Sequence, residues 1–403
     1  MSASPHTDWL RESLARHPEL LELASRDPAV LRRATSIVEA SPPFGALLIG
    51  HPQMLRALAP TEALAPWGDL ETERVRLASL LDQAPDEERR LVALRTFKWT
   101  RVLQILAADL EGRMSLDQVS HGLSDLADLL LGTVVSRVSV ELGHGPDSPI
   151  GVVCYGKLGS REMSYASDTD IVFIYDDRRG AATEELTGMA ATVNRWITAH
   201  TEVGPLYATD FRLRPHGDSG LLISSLAAFR QYQTSMAWTW EHQALTRARW
   251  IACDAQLGRA LHDVRVEVLR RPRDADQLRA DVLSMRERMR QQTPRPADQF
   301  DVKHSRGGII DVEFIAQHLI LRHAAAHAEL CAVPDVAGAL ACAAALNIIS
   351  DHAARGVVAA YRQYRVWMHR ERLRGNETIR IAPAEAESYR HSVVQLWDQL
   401  FPV

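Results

Sequence analysis

Residues that favour extended backbone are concentrated in one short stretch of this 403-residue chain, and that confinement limits the folds open to it. "IGVVCY" (150–155) is an apolar run that follows the turn-rich "GHGPDSP", and "DTDIVFIYD" (168–176) is a second. "LYATDFRLRP" (206–215) is a third, closed by Pro215. Three or four strand candidates make a small mixed sheet, not a doubly wound one. On both sides the pattern is helical. Residues 8–36 are helical in pattern, with prolines at 18, 28, 42 and 43 punctuating this part of the chain, and "HPQMLRALA" and "ETERVRLASLLDQ" follow as shorter helices. Residues 86–142 show apolar positions at three- and four-residue steps, which predicts two long amphipathic helices around Gly112. Residues 183–203 predict another helix, and "GDSGLLIS" a turn leading into further helices. From about 225 onward helix resumes, interrupted by "TPRPADQFDVKHSRGG" (293–308). The expected fold class is α+β: a small mixed sheet flanked by helical N- and C-terminal regions. The expected divisions are a helical region over 1–105, an α/β core with its leading helices over 106–255, and a helical domain over 256–403.

Composition excludes several classes. With 46% hydrophobic and 24% charged residues the chain has the make-up of a globular protein. A net charge of −5 without a basic block argues against nucleic-acid binding. Cys154, Cys253, Cys331 and Cys342 form no C-x-x-C pair, so neither a zinc ribbon nor a disulfide framework is expected. The most apolar stretch, "VAGALACAAALNII" (336–349), is too short to span a bilayer, and "MSASPHTDWLRE" has no apolar signal core. These features predict a reduced, cytoplasmic protein without a membrane partner.

The chemistry begins at Asp168 and Asp170. On a strand, residues i and i+2 project from one face, so the two carboxylates repel at close range. A divalent cation, Mg²⁺ or Mn²⁺, removes that conflict, because hard cations take carboxylate and phosphate oxygens together. Asp210 on the next strand is the candidate third ligand. A solvated acidic turn is the plainer reading of D-x-D alone. The segment "YGKLGSRE" sharpens it: Gly159 permits close backbone approach, the Ser160 hydroxyl and exposed N–H groups can hold phosphate oxygens, and Lys157 adds a point charge. Ser167, beside Asp168, joins this nucleotide-binding set. Arg212 and Arg214 share the parity of Asp210 and are expected on its face, toward phosphate or the aspartates. Glu241, Arg247 and Arg249 are expected on one helix with Trp238 and Trp240, the tryptophans in the core. Gly307 and Gly308 form a turn ahead of a helix whose early acids, Asp311 and Glu313, suit its dipole. His318 and His323, five apart, lack the spacing of a metal pair.

Strand, Gly-Ser turn, D-x-D on a second strand and Asp on a third is the pattern of the nucleotidyltransferase superfamily. More closely, "GKLGSREMSYASDTDIVFIYD", "ATDFRLRPHGDSGLLISSLAAFRQY", "AWTWEHQALTRARWI" and "FDVKHSRGGIIDVEFIAQHLILRHA" resemble glutamine synthetase adenylyltransferases over about residues 150–325. Members of that family usually carry two such halves, one adding AMP to glutamine synthetase and one removing it. "WTWEHQALTRAR" and "DVKHSRGGIIDVEFI" resemble the adding, C-terminal half. A single D-x-D signature of this kind implies an isolated half or a single-headed relative. The resemblance implies ATP as substrate, a tyrosine of glutamine synthetase as acceptor, a two-metal site of Asp168, Asp170 and Asp210, and Lys303 as a phosphate or base contact. It also implies regulation by the PII signal protein. Phosphorolytic AMP removal and a non-catalytic half that binds glutamine synthetase or PII are the alternative readings.

Overall fold

The structure, a computed structural model, describes residues 12, 16–59, 70–180, 182–252, 254–292, 298–333 and 335–402. The start of the helix expected from residue 8, Cys253 and residues 293–297 lie outside them. Three short helices open the described chain: α1 (Pro18–Arg26), α2 (Pro28–Ala40) and α3 (Pro42–Gly50). Each begins with proline, whose fixed φ and missing N–H suit the first turn of a helix. After α4 (Leu70–Asp82) come the two long helices, α5 (Glu87–Leu110) and α6 (Leu116–Glu141). Asp86 caps α5 by accepting from the Arg89 N–H, and Ser115 with Gln118 forms a capping box on α6. Gly112 turns the chain between them at φ +68°.

The α/β portion runs β1 (Ile150–Cys154), α7 (Gly156–Gly159), β2 (Thr169–Tyr175), α8 (Thr183–Thr198), β3 (Thr209–Asp210), β4 (Ile223–Ser225), α9 (Leu226–Ser235), α10 (Thr239–Leu245) and β5 (Arg249–Ile251). The sheet is mixed, as expected, in the order β3-β2-β1-β5. β1 is antiparallel to both β2 and β5. β3 and β4 both run parallel to β2 and share one of its edges. β3 takes the start, with Asp170 opposite Asp210, and β4 takes the end, with Phe173 opposite Ile223. Two strands depart from the sequence reading. β4 begins in the last two residues of "GDSGLLIS", and β5 replaces the helix expected to hold both Arg247 and Arg249. Three residues are too few to establish a period of two.

β2 is covered on both faces, which explains its unbroken apolar run. Ile171 and Phe173 join the N-terminal helices and α8 in one core, so residues as distant as Leu20, Leu130 and Trp196 share it. Val172 and Ile174 face the other way, onto Phe229, Leu245 and Leu257. The C-terminal region follows as α11 (Ala255–Leu269), α12 (Ala275–Gln291), β6 (Phe300–Asp301), α13 (Ile309–His323), α14 (Val336–Ala345), α15 (Asp351–Leu373), β7 (Arg380–Ile381) and α16 (Pro383–Leu400). These helices enclose a third core, and β6 pairs with β7. The division expected at 105/106 falls inside α5, and that at 255/256 coincides with the start of α11. Among the described residues no helix is long and apolar enough to cross a membrane.

Candidate active site

Gly156 is the pivot of the site. It leaves β1 at φ +56°, and a Cβ there would overlap the Asp170 carboxylate, so only glycine lets the turn lie against β2. The Tyr155 N–H donates to the Asp170 carbonyl (2.9 Å), fixing that approach. The single turn α7 is closed by the Gly159 N–H on the Tyr155 carbonyl (2.9 Å) and the Ser160 N–H on the Gly156 carbonyl (3.1 Å). Gly159 abuts the Arg247 carbonyl so closely that a side chain would not fit. Ser160 is buried, and its hydroxyl donates to the Gly156 carbonyl (3.1 Å). Gly159 and Ser160 therefore shape the turn and do not line the cavity beside it.

That cavity holds about 950 Å³ and brings together Gly156, Lys157, Ser167, Asp168, Asp170 and Lys303 from three separate segments. Asp168 precedes the first residue of β2 and is exposed, while Asp170 is partly buried. Burial, reinforced by the charges of Asp168 and Asp210, pushes the Asp170 carboxyl up to about 6. Ser167 is set by a tight turn in which its hydroxyl accepts from the Ser164 N–H (3.0 Å) and lies 2.9 Å from the Ser164 hydroxyl. Burial lowers the Lys157 amine. Glu313 acts against that shift, and Arg372 and Lys303 add to it by repulsion. Asp301 accepts from the Lys303 and His304 N–H groups (2.8 and 2.9 Å) and so shapes the loop that presents Lys303.

Arg212 meets an aspartate, as the sequence reading allowed, but not on a strand. The chain turns directly after Asp210, so Arg212 and Arg214 are not on a strand. Arg212 folds back: its backbone N–H donates to Asp210 Oδ1 (2.8 Å) and its Nε to Oδ2 (2.7 Å). The Arg212 hydrogen bonds hold the Asp210 carboxyl below its usual range. Arg214 donates instead to the carbonyls of Phe211 (3.1 Å) and Gly220 (3.3 Å). None of the three lines the cavity, and among the described residues no group of three His, Cys, Asp or Glu side chains is arranged to hold a metal ion. The donors that fit a divalent cation are Asp168 and Asp170. They are hard oxygen ligands on one cavity wall, and the Asp168 charge resists ionisation of Asp170.

The remaining candidates separate cleanly. Glu241 is buried and accepts from the Tyr232 hydroxyl (2.9 and 3.1 Å) and the Trp238 N–H (2.9 Å), so it secures α10. Trp238, expected in the core, is 70% exposed because it caps the start of that helix; Trp240 is half-buried. Arg249 holds Asp128 through two bonds (2.8 and 2.7 Å) and donates to the Leu158 carbonyl (3.0 Å), bracing α7. His318 packs on the Phe401 ring, and burial lowers it to about 4. Asp311 is fully buried between Arg286 and Arg290. Glu313 reaches the cavity, where it pairs with Arg247 (2.9 Å).

Sequence reasoning missed one wall of the cavity. Tyr361, Arg365, Met368, His369 and Arg372 all line it from α15. Their spacing of four, three or four, and three or four residues marks one helix face, a signal present in the sequence. Tyr361 donates to Glu162 Oε2 (2.9 Å), and Arg365 reaches Asp117 (2.7 Å), so α15 is fastened to both the Gly156 segment and α6. His369 Nε2 lies 2.7 Å from Asp109, which also accepts from the Tyr165 hydroxyl (3.0 Å). On the far side Lys98 donates to the Leu206 carbonyl (2.6 Å), and burial, with repulsion from Arg95, lowers its amine to about 7. Its neighbours Arg95 and Trp99 grip the carbonyls of Ala199 (2.6 Å), Gly204 (3.0 Å) and Val203 (2.9 Å), holding the loop that leads to β3.

The family model for glutamate-ammonia ligase adenylyltransferase matches residues 31–264, more than half of the chain. The chain belongs to that family. The match takes in the long helices, the whole sheet and the Gly156 turn, so the family's defining sequence coincides with the cavity's acidic wall. A second model, for GlnD PII-uridylyltransferase, matches residues 276–378, which contain Lys303 and the α15 wall. Among curated relatives, the bifunctional glutamine synthetase adenylyltransferase/adenylyl-removing enzyme of Burkholderia mallei is 39% identical over 400 residues, covering 97% of this chain and 43% of that protein. The proteins of the same name from Aromatoleum aromaticum and Chromobacterium violaceum are each 39% identical over 395 residues. They cover 97% of this chain and 42% and 44% of their own lengths. This family member thus spans less than half the length of the relatives it matches.

Proposed function

We propose that this chain transfers AMP from ATP to a tyrosine hydroxyl of glutamine synthetase, releasing pyrophosphate. The observation that carries this reading is Gly156 lying against Asp170, with Asp168 and Lys157 in the same cavity. A carboxylate pair and a cation in one cavity support the reading because a nucleotide's phosphates with a divalent cation would meet both. A divalent cation held by Asp168 and Asp170, Mg²⁺ or Mn²⁺, would neutralise phosphate charge and acidify the acceptor hydroxyl. The acceptor oxygen attacks the α-phosphorus and the bond from that phosphorus to the bridging oxygen breaks. Pyrophosphate departs with the electron pair, and the hydroxyl proton passes to a carboxylate. Lys157 and Lys303 draw the β- and γ-phosphates away from the aspartates, and Ser167 orients the nucleotide beside Asp168. The two-metal form of the reading adds Asp210 as third ligand and proton acceptor, once it releases Arg212. Glutamine synthetase as acceptor and the PII signal protein as regulator are proposed from family membership.

The relatives' name also carries AMP removal, in which phosphate attacks the adenylyl-tyrosine at one such site. Incubating the protein with labelled ATP, Mg²⁺ and glutamine synthetase, and labelled adenylyl-glutamine synthetase with phosphate, separates the directions. Label entering glutamine synthetase is the expected result. Release of label by phosphate without any incorporation would reverse the assignment, and neither event would leave a non-catalytic binding half.

A further inference from the structure

The cavity contains more positive charge than its acids pair. Arg247 is matched by Glu313 (2.9 Å), and Arg365 by Asp117 (2.7 Å) and Glu162 (3.6 Å). Lys157, Lys303 and Arg372 also line the cavity, and among the described residues no carboxylate forms an ion pair with any of them. They come from three places: the Gly156 turn, the Asp301–Gly308 loop and the last turn of α15. Lys157 is near enough to both Lys303 and Arg372 for mutual repulsion to be felt. Lys157 and Arg372 are half-buried and Lys303 is exposed at the cavity, and like charges gathered without ion-pair partners favour an anion that joins them. Arg372 also has a buried Nε with no hydrogen-bond partner.

The convergence is built, not incidental. Arg372 lies eleven residues after Tyr361, three helical turns along the same face. Tyr361 fixes that face on Glu162, at the end of the Gly156 segment. The Tyr364 hydroxyl donates to the Gly307 carbonyl (2.7 Å), so the loop carrying Lys303 is tied to the helix carrying Arg372. Asp168 and Asp170 open on the same cavity, giving it one acidic and one basic wall. A lone monoanion would satisfy one of the three cations. A pyrophosphate group, with two phosphorus centres and several charges, offers oxygens and charge enough for all three.

We infer that Arg372, with Lys157 and Lys303, forms a polyphosphate-binding site that holds the β- and γ-phosphates of a nucleoside triphosphate. Arg372 is the arm of this site supplied by the C-terminal helical region. The inference rests on the nucleotidyl-transfer reading above for which polyphosphate is bound.

Calorimetry with the full chain in Mg²⁺, titrating ATP, inorganic pyrophosphate and AMP in turn, tests it. Arg372→Gln should weaken ATP and pyrophosphate by at least tenfold and leave AMP within twofold, since AMP lacks the outer phosphates. Arg372→Lys, which keeps the charge without the fork, should recover most of that loss. Lys157→Gln and Lys303→Gln should show the same selectivity, which keeps the test decisive if Arg372→Gln does not fold. Unchanged ATP and pyrophosphate affinity in the folded Arg372 variant overturns the inference, as does an equal loss for AMP. A wild-type protein that binds neither ATP nor pyrophosphate also overturns it. Wild-type protein that binds both but transfers no AMP refutes the proposed function and leaves the polyphosphate site standing.

Discussion

Two acid-x-acid motifs in this chain have the same spacing and opposite fates. Asp168-Thr169-Asp170 enters a strand, and both carboxylates remain on one side, against the cavity. Asp311-Val312-Glu313 lies in the first turns of a helix, where residues two apart point about 200° from each other. Asp311 accordingly turns inward, where Arg286 and Arg290 clamp it and the Gly307 N–H adds a further hydrogen bond. Glu313 turns outward to Arg247 and the cavity. The local backbone decides whether two nearby acids act as a pair. A strand start leaves them together, with their conflict unresolved and open to a cation. A helix separates them, giving Asp311 two arginines and Glu313 a third.

The sharpest way to break this comparison is to neutralise each motif in turn. Asp168→Asn or Asp170→Asn should lower AMP transfer by at least about 10⁴-fold with the fold retained, because the pair acts jointly on the phosphates. Near-normal turnover in either variant, measured as labelled AMP incorporated, would sink the paired reading. Asp311→Ala should do the reverse. It removes the buried carboxylate that Arg286 and Arg290 share and costs about 3–5 kcal/mol of stability by urea denaturation. A variant that melts like the parent would mean the clamp is dispensable.

Asp210→Asn tests whether the strand pair has a third member. AMP transfer should fall by about 10²-fold while Mg²⁺·ATP affinity stays within about tenfold, since Asp168 and Asp170 still hold one cation. Close to wild-type transfer would leave Asp210 as the partner of Arg212 and nothing more. Glu313→Gln should have the smallest effect. Removing a negative charge near Lys157 should tighten ATP by up to about threefold, and losing the Arg247 pair should cost about 1 kcal/mol of stability. Weaker ATP binding in this variant would assign Glu313 to the acidic wall.

The legible parts of this molecule were those whose signal is local or periodic. The long helices around Gly112, the apolar strands β1 and β2 and the carboxylates at the start of β2 all announce themselves within a few residues. β4 and β5 do not, because three-residue strands owe their existence to an available edge of β2 or β1. Arg212 pairs with Asp210, one of the two outcomes expected of it, but by folding back over a turn and not by strand parity, since β3 ends at Asp210. Gly159 and Ser160 matched a phosphate-gripping pattern, yet the carbonyl of Arg247, far along the chain, occupies the space one of them would have opened. Arg372 was within reach of a periodic argument. What the sequence lacked was the knowledge that this face of α15 meets the Gly156 turn.

The grip of α5 on the loop before β3 has a consequence for how such a chain can diverge. Arg95, Lys98 and Trp99 hold carbonyl oxygens, which every residue type presents alike. The exposed residues of that loop, His200 and Glu202, can therefore exchange side chains over generations without loosening its hold on the approach to Asp210, whereas Val203 and Leu206 are fixed by burial in the core. The three holding residues have no such freedom, since a shorter or uncharged replacement releases the loop at once. Selection acting on the position of one strand is thereby extended to a helix about a hundred residues earlier, and only the exposed positions of the loop between are left to drift.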